Sequence, residues 1–390
     1  MTERGTHVLI IHHSLELGGT ETQLLGVIQE LCHQAKVTLV LYHETPLTKA
    51  RINALPDGTV HFLHKQSGAL GQIQSLVKLI RFATRQKPDT LLSFLAGTNI
   101  VTLIVSLFVR PRRLIWGLRV TPIDPHIQTL SERLVDWLFC YLSRFVGLII
   151  SNSDTALRAY EKSGLRAKAH KVIPNGINTA KFYRSEPNRK VAREIIGASE
   201  NRLVIGIVSR VVPWKGYEIF LNAAKMLMSE IPDVQFVCIG SGEQAYHKSL
   251  LELQEDLGIP NAAVRWLGAR EDTNVLINGL DIFSSVSTSG EALSNSLLEA
   301  VVTGIPVVAT EVGDSRIIVA DNGVLIRPGG PKQLSDAWLK IIGSIEAYKQ
   351  YAATASFAAS MHFNQERQAK MFCESVLTLS TTESRPSHLA

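Results

Sequence analysis

In GIVSRVVPWKG, residues 206–216, an apolar run ends near Ser209 and is followed by Arg210 and Lys215. Two fixed cations on the loop leaving a strand suit a diphosphate, the guanidinium as a planar fork and the ammonium as a point charge. An isolated Arg-x4-Lys is more often a pair of solvated charges. A second stretch shifts that balance: DIFSSVSTSGEALSNSLLEAVVTGIPVVAT, residues 281–310, reads as strand, Ser/Gly-rich loop and helix. Glu291 falls in the loop and Glu299 eight residues on, inside the helix. Asn295, Ser296 and Leu297 fall at the helix N-terminus, where unpaired N–H groups and the helix dipole favour an anion. A carboxylate beside such a site can grip sugar hydroxyls, because both of its oxygens accept hydrogen bonds. The bland alternative is a helix cap with a solvated glutamate.

The elements that must position these residues alternate. HVLIIHH, KVTLVLYH, DTLLSFLA, RLIWGLR and GLIISNS read as strands of the first half, with helices between them. RLVIGIVSR, VQFVCIGSG, AVRWLGA, DIFSSVS, IPVVAT and NGVLIRP read as strands of the second. Such alternation predicts two parallel sheets, each covered by helices on both faces. Ligands of doubly wound sheets sit at the carboxyl ends of the strands, so a cleft between two such units is the expected site. KVIPNGINTAKF, at 171–182, reads as the turn out of the first domain, and RSEPNRKVAREIIGASENR as a linker into a short surface helix. The expected division is 1–180, 181–360, a C-terminal helix at 361–380 returning to the first domain, and a disordered tail at 381–390.

The 390 residues carry a net charge of +5 with a pI near 9.0. That mild excess suits a phosphorylated substrate or an anionic membrane, and the chain has no zinc-ligand spacing, helix-turn-helix or aromatic-basic RNA motif to suggest nucleic acid. The four cysteines are scattered in apolar runs and read as buried free thiols of a reducing compartment. The N-terminus lacks the pattern of a signal peptide. Leu91–Val109 is 19 residues long and free of charge, near the length that spans a bilayer. Its Ser, Gly, Thr and Asn breaks favour a buried strand followed by a buried helix.

Taken in order, Gly18-Gly19-Thr-Glu, VIPNGIN, GIVSRVVPWKG, IGSGE, WLGARED and Glu-x7-Glu with TGIPVVAT resemble the family 4 retaining glycosyltransferases of the GT-B fold. The resemblance runs from about residue 7 to 375. It implies that Arg210 and Lys215 bind the donor diphosphate, Glu291 contacts the donor sugar and Glu299 holds the ribose hydroxyls. Asn295, Ser296 and Leu297 are implied as backbone donors to phosphate, with Gly240 and Arg270 near the nucleotide base. Gly18 and Gly19 are implied as the glycine loop of the acceptor domain. The family usually has Glu-Gly at the first glutamate, where this chain has Glu291-Ala292. Many members also place a His near the reacting carbon; the candidate is His126, with a surface histidine as the alternative. Arg119 and Asn99, near strand ends of the first sheet, are candidate cleft-lining groups, and His12 and His13 end a strand as well.

The expected chemistry is transfer from a nucleoside-diphosphate sugar to an acceptor hydroxyl with retention. No metal or other cofactor is required, since fixed cations replace one and no Asp-x-Asp is present. Arg110, Arg112, Arg113, Arg119, Arg133 and Arg144, with the aromatic LVDWLFCYL, suit an anionic membrane and a lipid-linked acceptor, as in cell-surface polysaccharide assembly, with an ordinary buried helix and solvated arginines as the equal alternative. A saccharide acceptor is the other expectation, in a cytoplasmic enzyme peripheral to the inner face of the plasma membrane. The alternatives are an epimerase or phosphorylase of the same fold, a dinucleotide-binding protein, or a non-catalytic nucleotide-sugar binder. The missing G-x-G-x-x-G after the first strand counts against the dinucleotide reading.

Overall fold

The structure is a computed structural model that describes residues 5–378 except 17, 54, 65–67, 123–127 and 321. The chain forms two compact units, residues 1–176 with 365–390, and residues 177–364.

The first unit holds seven parallel strands: β1 (His7–His12), β2 (Lys36–Leu41), β3 (Val60–Phe62), β4 (Thr90–Phe94), β5 (Arg113–Leu118), β6 (Leu148–Ser151) and β7 (Ala169–Val172). Their spatial order is β3-β2-β1-β4-β5-β6-β7. Helices α1 (Gly19–Cys32), α2 (Pro46–Ile52), α3 (Gly68–Gln86), α4 (Ala96–Val109), α5 (Leu130–Leu142) and α6 (Asp154–Lys162) connect them. β1 and β4 are buried at every position. Near-continuous apolar strands are what a sheet covered on both faces requires.

The second unit begins with α7 (Glu186–Ile196). The sheet then alternates β8 (Leu203–Val208), α8 (Tyr217–Glu230), β9 (Val234–Ile239), α9 (Gln244–Asp256), β10 (Val264–Gly268), α10 (Thr273–Leu276) and β11 (Ile282–Ser285). It continues through α11 (Asn295–Thr303), β12 (Val307–Thr310), α12 (Ser315–Val319), β13 (Gly323–Ile326), α13 (Pro331–Ile342) and α14 (Ile345–His362). The strand order is β10-β9-β8-β11-β12-β13. Both sheets therefore reverse direction once, between β1 and β4 and between β8 and β11, the switch point at which doubly wound folds hold ligands. α15 (Gln365–Leu377) returns to the first unit and packs on α1, with Phe372, Cys373 and Val376 inside that unit's core.

Three expectations need correction. The division falls between 176 and 177 and again between 364 and 365, a few residues from 180 and 360, because Ile177 pairs with Asn364 in the second unit. The expected linker at 184–202 is largely a packed helix: on α7, Ala192 and Ile196 are fully buried and Arg193 nearly so. Arg189 and Arg193 both reach Asp281, at 2.8 and 2.5 Å, and Val204 N–H donates to the same carboxylate at 2.9 Å. The stretch 171–182 contains the end of a strand, β7, before its turn. The expected tail at 381–390 lies outside the described residues.

The apolar stretch at 91–109 divides as expected into β4 and α4. At about 1.5 Å per residue, fourteen residues reach only ~21 Å against the ~30 Å of a bilayer core. No described helix is long and apolar enough to cross a membrane.

Candidate functional site

In the second unit, Lys215, Glu291 and Ser296 come together at the switch point. β8 ends at Val208, and the chain crosses Ser209 and Arg210 into a single 3-10 turn, Pro213–Lys215. Gly216 follows at φ +74°, where a Cβ would collide with the Val286 carbonyl. That close approach presses the Lys215 turn onto the loop after β11. Thr288 N–H donates to Trp214 O at 2.8 Å across the same seam. Lys215 Nζ donates to Glu291 Oε2, and both side chains are mostly shielded from solvent. Ser287 Oγ lies 3.5 Å from the same carboxylate oxygen.

Between the ends of β8 and β11 lies a small open depression. Lys215, Ser209, Ser285, Ser287, Ser294 and Ser296 contribute its polar lining. Ser294 is the N-cap of α11 and makes no side-chain capping bond, and the first turn of the helix holds no acidic residue. The first-turn N–H groups of a helix have no carbonyl one turn back, and at α11 those of Ser296 and Leu297 make this end a natural anion seat. Serine hydroxyls, a shielded ammonium and a helix N-terminus are together a chemical match for phosphate oxygens.

Glu299 sits one turn further along α11. Burial pushes its carboxyl up to about 8, and Lys181 opposes that rise. Arg210 is exposed, its guanidinium 5.9 Å from the Trp214 ring centre. Gly240 has φ +143°, and a Cβ there would collide with the Ser209 carbonyl. This glycine lets the loop after β9 pack directly on the Arg210 loop. Arg270 is held in its own loop by a two-point contact with Asp272, at 2.8 and 2.6 Å.

Ala292 stands where the resemblance leads one to expect glycine. It is buried, its φ is not positive, and Asp314 N–H donates to its carbonyl at 2.9 Å. Gly313, at φ +59°, lies against the Glu291 and Ala292 carbonyls. The backbone carrying Glu291 is thus pinned from behind in a conformation open to alanine.

In the first unit, Gly18 is the N-cap of α1 and has extended φ. With Gly19 it starts the helix, and Glu21 folds back to within 3.6 Å of His12 Nε2. His12 is buried and His13 is exposed. Asn99 does not line an open surface. It is fully buried, accepts from Ser93 Oγ at 2.8 Å and donates to Gly117 O at 3.2 Å, so its amide ties β4 to β5. Arg119 is 9% exposed and donates to Asn175 Oδ1 at 2.9 Å. Its guanidinium lies 5.1 Å from the Phe94 ring centre and 5.5 Å from that of Phe372 on α15, and it lines a small pocket with Gln23, Ile173 and Gln368. His126 lies outside the described residues.

Sequence reasoning missed the serine lining, although the run SSVSTS held it in view, and Lys181, which no motif marked.

Residues 202–344 match the family model described as Glycosyl transferases group 1, and residues 17–181 match that described as Glycosyltransferase Family 4. The chain is 30% identical over 247 residues to a D-inositol 3-phosphate glycosyltransferase of Corynebacterium urealyticum, covering 60% of this chain and 57% of the relative. It is 23% identical over 299 residues to the Escherichia coli UDP-Gal:alpha-D-GlcNAc-diphosphoundecaprenol alpha-1,3-galactosyltransferase, covering 75% and 76%. The crystal structure of Anabaena HepE with UDP and glucose superposes with a TM-score of 0.84 at 26% identity, covering 95% of this chain and 99% of that one. HepE has also been solved with UDP-glucose.

Proposed function

Because the chain belongs to glycosyltransferase family 4 and has the two doubly wound units of the GT-B fold, we propose that it transfers a hexose from a nucleoside-diphosphate sugar to an acceptor hydroxyl. The observation that carries this reading is the serine-lined pocket between β8 and β11, with Lys215 on one side and the N-terminus of α11 on the other. Its contents fit a diphosphate, and Glu291 beside Lys215 is a fitting acceptor for hydroxyls of the attached sugar. Glu299, further along the same helix, would accept from the ribose. A uridine nucleotide is the donor favoured by the likeness to HepE.

As the bond between the anomeric carbon and the diphosphate breaks, negative charge grows on the leaving oxygens. Lys215, Arg210 and the α11 N–H groups would stabilise that charge more in the transition state than in the bound donor, which lowers the barrier. The acceptor oxygen bonds to the anomeric carbon on the face the diphosphate leaves, and its proton passes to the departing phosphate oxygen. The product keeps the anomeric configuration, and the cationic lining takes the place of a metal. A lipid-linked or saccharide acceptor fits the relative named for a diphosphoundecaprenol acceptor. A cytoplasmic enzyme working at the inner face of the plasma membrane in cell-surface glycan assembly follows from that choice.

Incubating the purified protein with a panel of nucleoside-diphosphate hexoses and chelator tests the proposal. Donor turnover and an α-linked product by NMR from an α-configured donor are expected. Absence of turnover with every donor, or full turnover by Lys215→Ala, would overturn it.

A further inference from the structure

We propose that the outward surface of α3, α4 and α5 is a docking face for an anionic lipid bilayer, an inference that rests on the lipid-linked reading of the acceptor. The three helices lie in a row, α3 packed on α4 and α4 on α5. On α5, Leu130, Leu134, Trp137 and Tyr141 are all exposed, Leu130 at 81% and Trp137 at 58%. Their spacing of i, i+4, i+7 and i+11 places them on one narrow stripe. On α3, Leu70, Ile73 and Val77 form a second exposed stripe, Leu70 at 76%, which continues one turn later into exposed Arg81. Leu107 and Phe108, at the end of α4, are exposed between them in sequence. Exposed stripes of large apolar side chains on neighbouring helices are costly in water and mark a surface that something covers.

Charge says what covers it. Residues 68–144, which span all three helices, contain ten Lys or Arg against four acids, Asp89, Asp124, Glu132 and Asp136. This segment alone therefore carries +6, compared with +5 for the whole chain. A second copy of the chain would set these like charges against one another, which disfavours a symmetric dimer through this face. A negatively charged bilayer complements them, because juxtamembrane Lys and Arg are drawn to anionic headgroups. The aromatic chemistry agrees. Trp137 stacks on Tyr141 at 5.4 Å, and Arg144 lies 3.9 Å over the Tyr141 ring. Amphipathic rings beside guanidinium groups suit the headgroup layer, where one edge meets acyl chain and the other water. The surface would bind from the side, with α5 lying along the interface, and needs no spanning segment.

Flotation with vesicles of phosphatidylcholine, with and without phosphatidylglycerol, tests the assignment. The full chain should float with the phosphatidylglycerol vesicles at least about tenfold more tightly than with phosphatidylcholine alone, and let go in ~1 M salt, where the Debye length is ~3 Å. Leu134→Glu/Trp137→Glu and, separately, Arg81→Gln/Arg85→Gln should each lose most of that binding. UDP binding by calorimetry and the thermal unfolding midpoint, which read the other unit's pocket and folding, should stay unchanged in both. Wild-type protein that binds UDP but no vesicles overturns the docking face and leaves the transferase reading standing. Vesicle binding without UDP binding counts for the face and against that reading. Equal binding by the variants, or a dimer in sedimentation that Trp137→Glu dissociates, overturns the lipid assignment.

Discussion

Lys215 and Glu291, 76 residues apart in the chain, form an ion pair at the edge of a serine-lined pocket. The cation suited to the diphosphate and the carboxylate suited to the sugar are thus a single unit whose charges cancel. A donor bringing its own negative phosphates would compete with Glu291 for the ammonium and release the carboxylate toward the sugar hydroxyls.

The pair should behave as one device in kinetics. Lys215→Ala is expected to lower kcat by about 10²–10³-fold, the range seen when one charge-stabilising donor is removed. Glu291→Ala should cost a similar factor. Because the residues touch, the double variant should lose much less than the product of the two. Steady-state assays of the three variants check this, and multiplicative losses would show two independent residues.

Glu299 gives a pH signature. Its pKa in the folded protein is about 8, against the ordinary carboxylate range. At pH 7 it is mainly protonated, whereas a carboxylate is needed to accept from both ribose hydroxyls. Nucleotide binding at pH 7 should therefore release close to one proton, and affinity should rise about tenfold per pH unit between 6 and 7 before levelling near 8. Calorimetry in buffers of different ionisation enthalpy reads the proton directly. Glu299→Gln should abolish both effects. The same shift bears on folding: a raised acid pKa favours the folded state below the unfolded value, and that contribution is lost as pH rises from about 4.5 towards 8.

Asp281 joins three partners, Arg189, Arg193 and the Val204 N–H. Removing it strands two guanidinium groups, one of them nearly buried. Asp281→Ala should destabilise the second unit by ~3–5 kcal/mol, the usual cost of breaking a buried pair from one side. Urea unfolding followed through that unit checks this. A loss under ~1 kcal/mol would mean that the arginines re-pair with water.

Gly240 faces a different limit. At φ +143° with the Ser209 carbonyl where a Cβ would sit, Gly240→Ala combines backbone strain with a clash. A loss of ~2–4 kcal/mol is expected, together with weakened nucleotide binding, because the Arg210 loop must retreat. Unchanged stability and affinity would show that the two loops adjust independently.

Much of this architecture was legible in the residues. β8 and β9 are apolar at nearly every position and β1 and β4 at most, as suits strands buried on both faces, so they stand out against their helices. β3 did not stand out: it has three residues, one a histidine, at a sheet edge where one neighbour suffices. α7 was disguised for the opposite reason. Its charges are numerous, and only the fold reveals that Arg189 and Arg193 turn inward to Asp281, a partner 92 and 88 residues away. Lys215, Glu291 and Glu299 were readable because strand end, loop and helix start fix where they go. Asn99 and Arg119 also follow strands, but what a side chain bonds to there depends on neighbours that no local pattern encodes. Asn99 is consumed by Ser93 and Gly117, whereas Arg119 bonds Asn175 beside the Phe94 and Phe372 rings.

The placement of α15 sets an order of events during synthesis. Phe372, Cys373 and Val376 close a core whose other members lie before residue 174. When residue 364 leaves the ribosome, every piece of the second unit has been made, yet the first still lacks its closing helix. The usual N-to-C order of domain maturation is thereby inverted. The earlier-made half must wait, with the α1 surface that α15 will cover still bare, until the last stretch of chain arrives. A released chain truncated after residue 364 should therefore carry a protease-resistant second unit and a protease-sensitive first one.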